Sequence, residues 1–314
     1  VTFTQKFAQN FIMAYQEIID RLVQKYERDK QPTETYLQGL LHAKPITYWD
    51  YIDVDVLLNL QKPRTHFPDE MTFIVYHQVT ELLLKVAMHE LKQACLATHS
   101  AQMLTHVERA TRYVHILAES FDVMRLGMDP VQYDQFRLSL APASGFQSGQ
   151  FRMLEIVSTD LWLLMSKSFK EKMEGETDPD KLFEHIYWQE AGKDRKTGEK
   201  SLLLRLFEER YLNSFKAMAT EYADCNLRKA YGKLAADENS EALKKALRDY
   251  DYAFNVHWPI VHLRAAEAYL EHGQTVKAAT GGSEWKRYLH PSFQRRIFYP
   301  ELWSSEELDN WGNF

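Results

Sequence analysis

Cysteine is almost absent from this sequence. The chain holds two, Cys95 and Cys225, far apart and with no CxxC spacing. That argues against a disulfide scaffold, a zinc ribbon or a redox pair, and fits a reducing compartment. Glycine and proline are scarce as well, at 12 and 10 in 314 residues. With Leu, Ala, Glu, Lys and Gln abundant, this favours helix over an all-β fold. There is no surplus of basic charge: the formal net charge is −6. Acidic and basic residues alternate along most segments, as on solvated helix faces. No nucleic-acid partner is expected from that balance. No apolar run approaches the ~18 residues of a membrane span. Val1 to Ala14 mixes Gln, Lys and Asn with its apolar residues, unlike a secretory leader. Together these absences predict a cytoplasmic protein with no membrane partner. What is present is apolar bulk: 45% of residues are hydrophobic and 13% aromatic, enough for a large buried core in one or two domains.

The apolar residues recur mostly at helical spacing. Phe7, Phe11, Ile12, Tyr15, Ile18, Ile19, Leu22, Val23 and Tyr26 recur at three- and four-residue steps and predict an amphipathic helix ending in the charged, Pro-containing stretch 27–32. A short apolar segment, 36–41, leads to Tyr48-Trp49-Asp50-Tyr51. A long helix should begin near Pro68-Asp69-Glu70, with proline in the first turn and two acids at the positive end of the dipole, and run to about Ala97. Further helices are expected over about 106–124, 150–173, 180–189, 202–234 and 241–272, the last kinked or restarted at Pro259. A short segment at 133–140 precedes the turn-rich Pro142-Ala143-Ser144-Gly145. No period-2 strand pattern and no internal repeat stands out. The polar stretch 192–200 reads as a loop between helices.

Several residues could carry chemistry. His77 comes four residues after Phe73, so both share a helix face; an imidazole beside an apolar ring suits a ligand pocket, although packing in a helical core is the plainer explanation. His89-Glu90 lacks the second histidine of an HExxH zinc motif, since Gln93 stands there. His262 lies one turn after Trp258-Pro259. The proline removes a backbone donor, and such positions often border a pocket. A histidine there could ligate haem or a metal, or could be structural. His257, five residues earlier, faces another direction and competes for the role. Arg137 sits between Phe136 and Leu138; a buried guanidinium needs a carboxylate from the protein or from a substrate. Ser144-Gly145 and Thr280-Gly281-Gly282 are small, donor-rich turns that match no phosphate loop.

Taken together these segments resemble the tryptophan 2,3-dioxygenase family. The resemblance is carried by Tyr48-Trp49-Asp50-Tyr51, by the stretch from Pro68-Asp69-Glu70 through Phe73, His77 and Gln78 to Glu81-Leu82, by Phe136-Arg137, by Pro142-Ala143-Ser144-Gly145-Phe146-Gln147-Ser148, by Trp258 through Arg264, and by Thr280-Gly281-Gly282. These occur in the family's order over most of the chain. The block from Asp69 to Glu90 and the Ser144–Ser148 stretch are the most specific. Two departures stand out: the link from His262 to Thr280 is longer than is usual in the family, and a position near Phe121 is often Trp there.

The resemblance implies an all-α, haem-binding helical bundle with short connecting helices, assembled as a homotetramer. Residues 1–45 would form an N-terminal helical arm making inter-subunit contacts, and 46–314 the haem-binding catalytic domain, with a helical insertion at about 175–240. One haem b per chain, ferrous in the active form, would be held through His262 as proximal iron ligand. His77 would lie on the distal side near the indole N–H, as a base or only as a hydrogen-bond partner. Phe73 would pack on the indole, Arg137 would bind the substrate carboxylate with Tyr133 one turn before it, and Thr280 would hold the ammonium and carboxylate. Ser144 and Gly145 would border the haem and the oxygen, and Tyr48 and Tyr51 would reach into a neighbouring subunit's pocket. The implied reaction inserts O2 across the indole C2–C3 bond of L-tryptophan to give N-formylkynurenine, the first step of the kynurenine pathway of tryptophan catabolism. The alternatives are a haem-dependent hydroxylase of tyrosine or a tryptophan analogue in the same superfamily, and a non-catalytic haem-binding protein. Arg137 and Thr280 speak against the last, because a haem carrier needs no amino-acid clamp.

Overall fold

The computed structural model describes residues 3–141, 143–194, 197–234, 240–270 and 290–313. Among them the fold is all-α. The only extended pairing there is two isolated bridges, Met165 with Ile186 and Lys193 with Lys200. No helix among the described residues is long and apolar enough to cross a membrane. The chain divides into two units, 1–60 and 61–314.

The smaller unit holds α1 (Phe3–Arg28), α2 (Thr33–His42), α3 (Tyr48–Tyr51) and α4 (Val54–Leu57). Tyr26 of α1 stacks on Tyr36 of α2, with ring centroids 4.1 Å apart. Thr47 caps α3 by accepting the Asp50 N–H. None of the described side chains of this unit is buried, and Tyr15, Ile18, Leu40, Leu41, Tyr48 and Tyr51 are exposed. A segment of this size with no core of its own is not self-sufficient.

The larger unit is built on α5 (Asp69–Cys95) and α6 (Ser100–Glu119). Leu84, Ala87, Leu91 and Ala94 of α5 recur at three- and four-residue steps and meet Val107, Ala110, Val114 and Leu117 of α6 in a fully buried seam. Next in the chain come α7 (Phe121–Gly127), α8 (Pro130–Phe136), which continues as a 3-10 turn over Arg137–Leu140, and α9 (Gly149–Ser158). The start of α5 is tied to α8: the Asp69 carboxylate accepts the Asp129 N–H at 2.6 Å, and Gln132 Oε1 accepts the Asp69 N–H.

A single helix expected over 150–173 ends instead at Ser158. Thr159 and Asp160 leave it for distant partners: Thr159 Oγ1 donates to the Phe298 carbonyl at 2.6 Å, and the Asp160 carboxylate accepts Asn226 Nδ2 at 3.0 Å and pairs with Arg228. Beyond it lie the short helices α10 (Lys167–Lys170), α11 (Pro179–Phe183) and α12 (Tyr187–Ala191), then α13 (Leu202–Tyr222) and α14 (Leu227–Lys233). The helix expected over 202–234 is thus broken in two; Asn226 caps the second piece by accepting the Lys229 N–H. Helix α15 (Glu241–Tyr252) passes through a π-helical turn, Ala253–His257, into α16 (Trp258–Leu270). The chain continues helically through Pro259, and the irregularity falls just before it.

The core is aromatic where α9 meets α15 and α16. Phe151 stacks on Phe254 at 4.6 Å and leans on Trp258 at 4.7 Å. Beside it two buried arginines share one buried carboxylate. Glu155 accepts the Tyr187 hydroxyl at 2.5 Å and Arg296 Nη1 at 2.8 Å, with Arg152 Nη1 at 3.5 Å. Both guanidiniums also lie over the Phe151 and Tyr187 rings. This satisfies charges that would otherwise be costly to bury.

Candidate functional site

Three helices of the larger unit bring the sequence-marked residues together. On α5, His77 stands one turn after Phe73, their rings 4.2 Å apart. The His77 Nδ1 lies 2.7 Å from the Phe73 carbonyl oxygen. A carbonyl only accepts, so Nδ1 carries the proton in this bond. Burial lowers the His77 pKa, against the raising effects of that hydrogen bond and of the Glu81 charge. A neutral ring protonated at Nδ1 keeps its lone pair on Nε2, which can then accept an N–H.

On α16, His262 lies against Phe121 of α7, the rings near parallel at 5.1 Å, and beside Trp258 at 6.4 Å. Its pKa is pushed down to about 4, by burial first and by the charge of His77 second. The two histidines therefore lie within electrostatic reach of each other, on different helices. Tyr76 closes the ring set, 5.5 Å from Phe121, in a small apolar cluster with Ala265. His257 goes elsewhere. It faces His115 of α6 at 5.5 Å, and its pKa is lowered by burial and then by His115 and Arg264. The five-residue spacing separates the two candidate ligands onto different surroundings.

The substrate-side candidates come from α8. Tyr133 and Phe136 stand 6.1 and 5.7 Å from Phe73, and Tyr133 lies 4.9 Å from Tyr269 of α16. The Tyr269 hydroxyl donates to the Met124 carbonyl, with the Met128 carbonyl 3.3 Å away, which ties the end of α16 to the end of α7. Arg137 points inward and is buried, whereas Leu138 is exposed. The carboxylate that a buried guanidinium requires is provided in part by Asp134, whose Oδ1 accepts the Arg137 Nε–H at 3.0 Å.

Ser144 and Gly145 form a capped turn leading into α9. Ser144 Oγ accepts the Phe146 N–H, and Gln147 Oε1 accepts the Ser144 N–H. A methyl group at Gly145 would meet nothing within 4 Å, so packing inside the chain does not require glycine there. The turn is anchored by Phe146, which lies under the Arg152 guanidinium and against Phe207. Tyr48 and Tyr51 belong to the smaller unit, where both are exposed. Thr280 lies outside the described residues. Sequence reasoning passed over Tyr76, Phe136 and Tyr269. Helical spacing could have marked Tyr269, which stands seven residues after His262 on the same face.

A family model for tryptophan 2,3-dioxygenase matches residues 38–282. The chain belongs to the tryptophan 2,3-dioxygenase family. The matched span starts before Tyr48 and ends beyond Thr280, so it contains every site residue singled out from the sequence. Similar proteins include the tryptophan 2,3-dioxygenase of Ruegeria sp. (strain TM1040), 40% identical over 118 residues, which cover 37% of this chain and 42% of that protein. Another is that of Herpetosiphon aurantiacus, 42% identical over 120 residues, 37% of this chain and 46% of that one. In both cases the matched stretch spans less than half of the relative's length. The tryptophan 2,3-dioxygenase of Ruegeria pomeroyi is 28% identical over 272 residues, 83% of this chain and 92% of that protein.

Proposed function

We propose that the chain binds haem b through His262 and inserts O2 across the indole C2–C3 bond of L-tryptophan to give N-formylkynurenine. One observation supports this reading: two histidines whose pKa burial lowers, His77 and His262, are brought from separate helices to one aromatic cluster, His77 against Tyr76, Tyr76 against Phe121 and Phe121 against His262. The donor set fits the group. A histidine with its pKa near 4 keeps a lone pair free for iron at neutral pH. Among the described residues no cluster of three or more His, Cys, Asp or Glu could hold a metal ion. Haem brings most of its iron's ligands with it, and His262 would supply one from the protein. The indole N–H of Trp258 is buried without a partner beside His262.

When bound, ferrous haem would supply the oxygen activation. The chain's own residues bind and orient the substrate. Phe73, Tyr133 and Phe136 offer an aromatic wall for an indole. His77 Nε2 would accept the indole N–H, and Arg137 would pair with the carboxylate. Thr280 would hold the ammonium and carboxylate groups, and Ser144 with Gly145 would border the haem. Tryptophan and one O2 together contain all the atoms of the product, so no external reductant is consumed.

The uncovered apolar residues of the smaller unit support an assembly in which a second copy covers them, as in a homotetramer. Tyr48 and Tyr51 would then complete a neighbour's pocket. A cytoplasmic location goes with this reading.

The test is haem titration of two single variants. His262→Ala should lose haem, or bind it with a changed Soret band and without turnover. His257→Ala should bind and turn over like the parent. Full haem content with an unchanged spectrum in His262→Ala would remove His262 as the ligand.

A further inference from the structure

Helices α15 and α16 are not one regular helix. Between them Ala253–His257 winds as a π-helical turn, with the Trp258 N–H bonded to the Ala253 carbonyl five residues back. Such a turn takes one residue more than an α-turn, so it rotates α16 by roughly 100° relative to an unbroken helix. With α16 at this rotation, His262 meets Phe121 and His257 meets His115.

The turn is held from inside. Asn255, 1% exposed, donates through Nδ2 to Asp251 Oδ1 at 2.8 Å, and Asp251 is 0% exposed. The same carboxylate accepts the backbone N–H of Phe298 at 3.0 Å, that of Tyr299 at 3.1 Å and the Trp303 indole N–H at 3.1 Å. It thus joins two stretches of chain that are remote in sequence: the π-turn and the segment 298–303. Packing runs along the same line. The Phe298 ring lies 5.4 Å from Phe254 and 5.8 Å from Tyr250. Val256 is buried with Ile297 and Trp311. The hydrogen-bond partners of Asp251, which are Asn255, Phe298, Tyr299 and Trp303, lie outside the set formed by His77, Tyr76, Phe121 and His262.

We propose that Asp251 is a positioning residue for the candidate haem ligand: its buried carboxylate pins Asn255 of the π-turn to the C-terminal segment, and so sets the rotation at which α16 presents His262. The inference rests on reading His262 as the iron ligand and adds the part of the fold that aims it. The C-terminal segment acquires a role at the site without reaching it.

The experiment compares Asp251→Asn, Asn255→Ala and the parent, each checked for helix content by circular dichroism. Hydrogen exchange on the haem-free proteins reads the clamp. Haem affinity and the iron–histidine stretch of the ferrous haem-loaded proteins read the aim of His262. Asp251→Asn should speed amide exchange at Phe298 and Tyr299, shift the stretch and weaken haem binding about 10- to 100-fold, as loss of a supporting partner does around metal ligands. Asn255→Ala keeps the C-terminal bonds, so it should shift the stretch while leaving Phe298 and Tyr299 protected. It also serves as the decisive variant if Asp251→Asn does not fold. A native stretch and native haem affinity in Asn255→Ala, or in a folded Asp251→Asn, would overturn the proposal. So would unchanged exchange at Phe298 and Tyr299 in Asp251→Asn. His262→Ala run alongside separates the two ideas. If it keeps the parent's haem spectrum, the ligand assignment has failed, whatever exchange says about the clamp.

Discussion

Truncating Arg137 to alanine should raise the KM for tryptophan about 30-fold and leave the haem spectrum unchanged. The side chain is buried, and its Nε is bonded to Asp134 at 3.0 Å. Breaking a desolvated guanidinium–carboxylate pair costs about 2–5 kcal/mol. Asp134 already neutralises part of the guanidinium charge, so the substrate carboxylate gains less than it would from an unpaired arginine. The lower end applies, about 2 kcal/mol, which is about a factor of 30 in affinity. Arg137→Lys restores charge without the planar fork and should recover only part of the loss. The assay is initial rate against tryptophan concentration at matched haem content, repeated with indole-3-ethylamine, which lacks the carboxylate. If Arg137 acts on the carboxylate, its removal hardly changes the rates with the amine, and the parent handles the amine poorly. The reasoning is refuted if the parent turns over indole-3-ethylamine as well as tryptophan, or if Arg137→Ala keeps the parental KM.

Acid should destabilise the haem-free protein through His262. Its folded pKa of about 4 lies below the unfolded value, so the stabilisation is present above about pH 6.5 and is lost as pH falls toward 4. That loss should reach about 2–3 kcal/mol and be absent in His262→Leu. Asp251 works in the opposite sense. Burial raises its pKa to about 6, so its contribution is greatest below its unfolded pKa and fades as pH rises through 6. Denaturant unfolding of parent and variant at several pH values should therefore be compared as a difference, and parallel curves would contradict a buried, neutral His262. Deleting residues 1–30 should break up the assembly and weaken tryptophan binding together, read by light scattering and by titration of the haem spectrum. A truncated chain that is monomeric and binds tryptophan normally would exclude a shared site.

Much of this architecture is local in origin, and that part is legible. The long helix expected from Pro68 to about Ala97 is α5, Asp69–Cys95, because its start signals and its apolar period lie within the segment itself. The helix expected over 150–173 stops at Ser158 because Thr159 and Asp160 bond to Phe298, Asn226 and Arg228. Partners so remote leave no mark on local periodicity. Pro259 signals a disturbance, but the backbone absorbs it upstream, in a turn held by Asp251 and Asn255. At the site, spacing alone does not choose between His257 and His262; the fold gives them different neighbours, His115 of α6 and Phe121 of α7. The need of Arg137 for a carboxylate was readable from its apolar neighbours. That Asp134 meets part of it follows from the i,i+3 spacing at the end of α8.

The most direct test of the central claim is turnover by the purified, haem-loaded and reduced chain in air with L-tryptophan. The account predicts that the near-ultraviolet absorbance of N-formylkynurenine grows with time, and that isotopically heavy dioxygen places both of its atoms in that product. A protein that takes up haem through His262 but forms no N-formylkynurenine, or that gives a product carrying a single labelled oxygen, would contradict it.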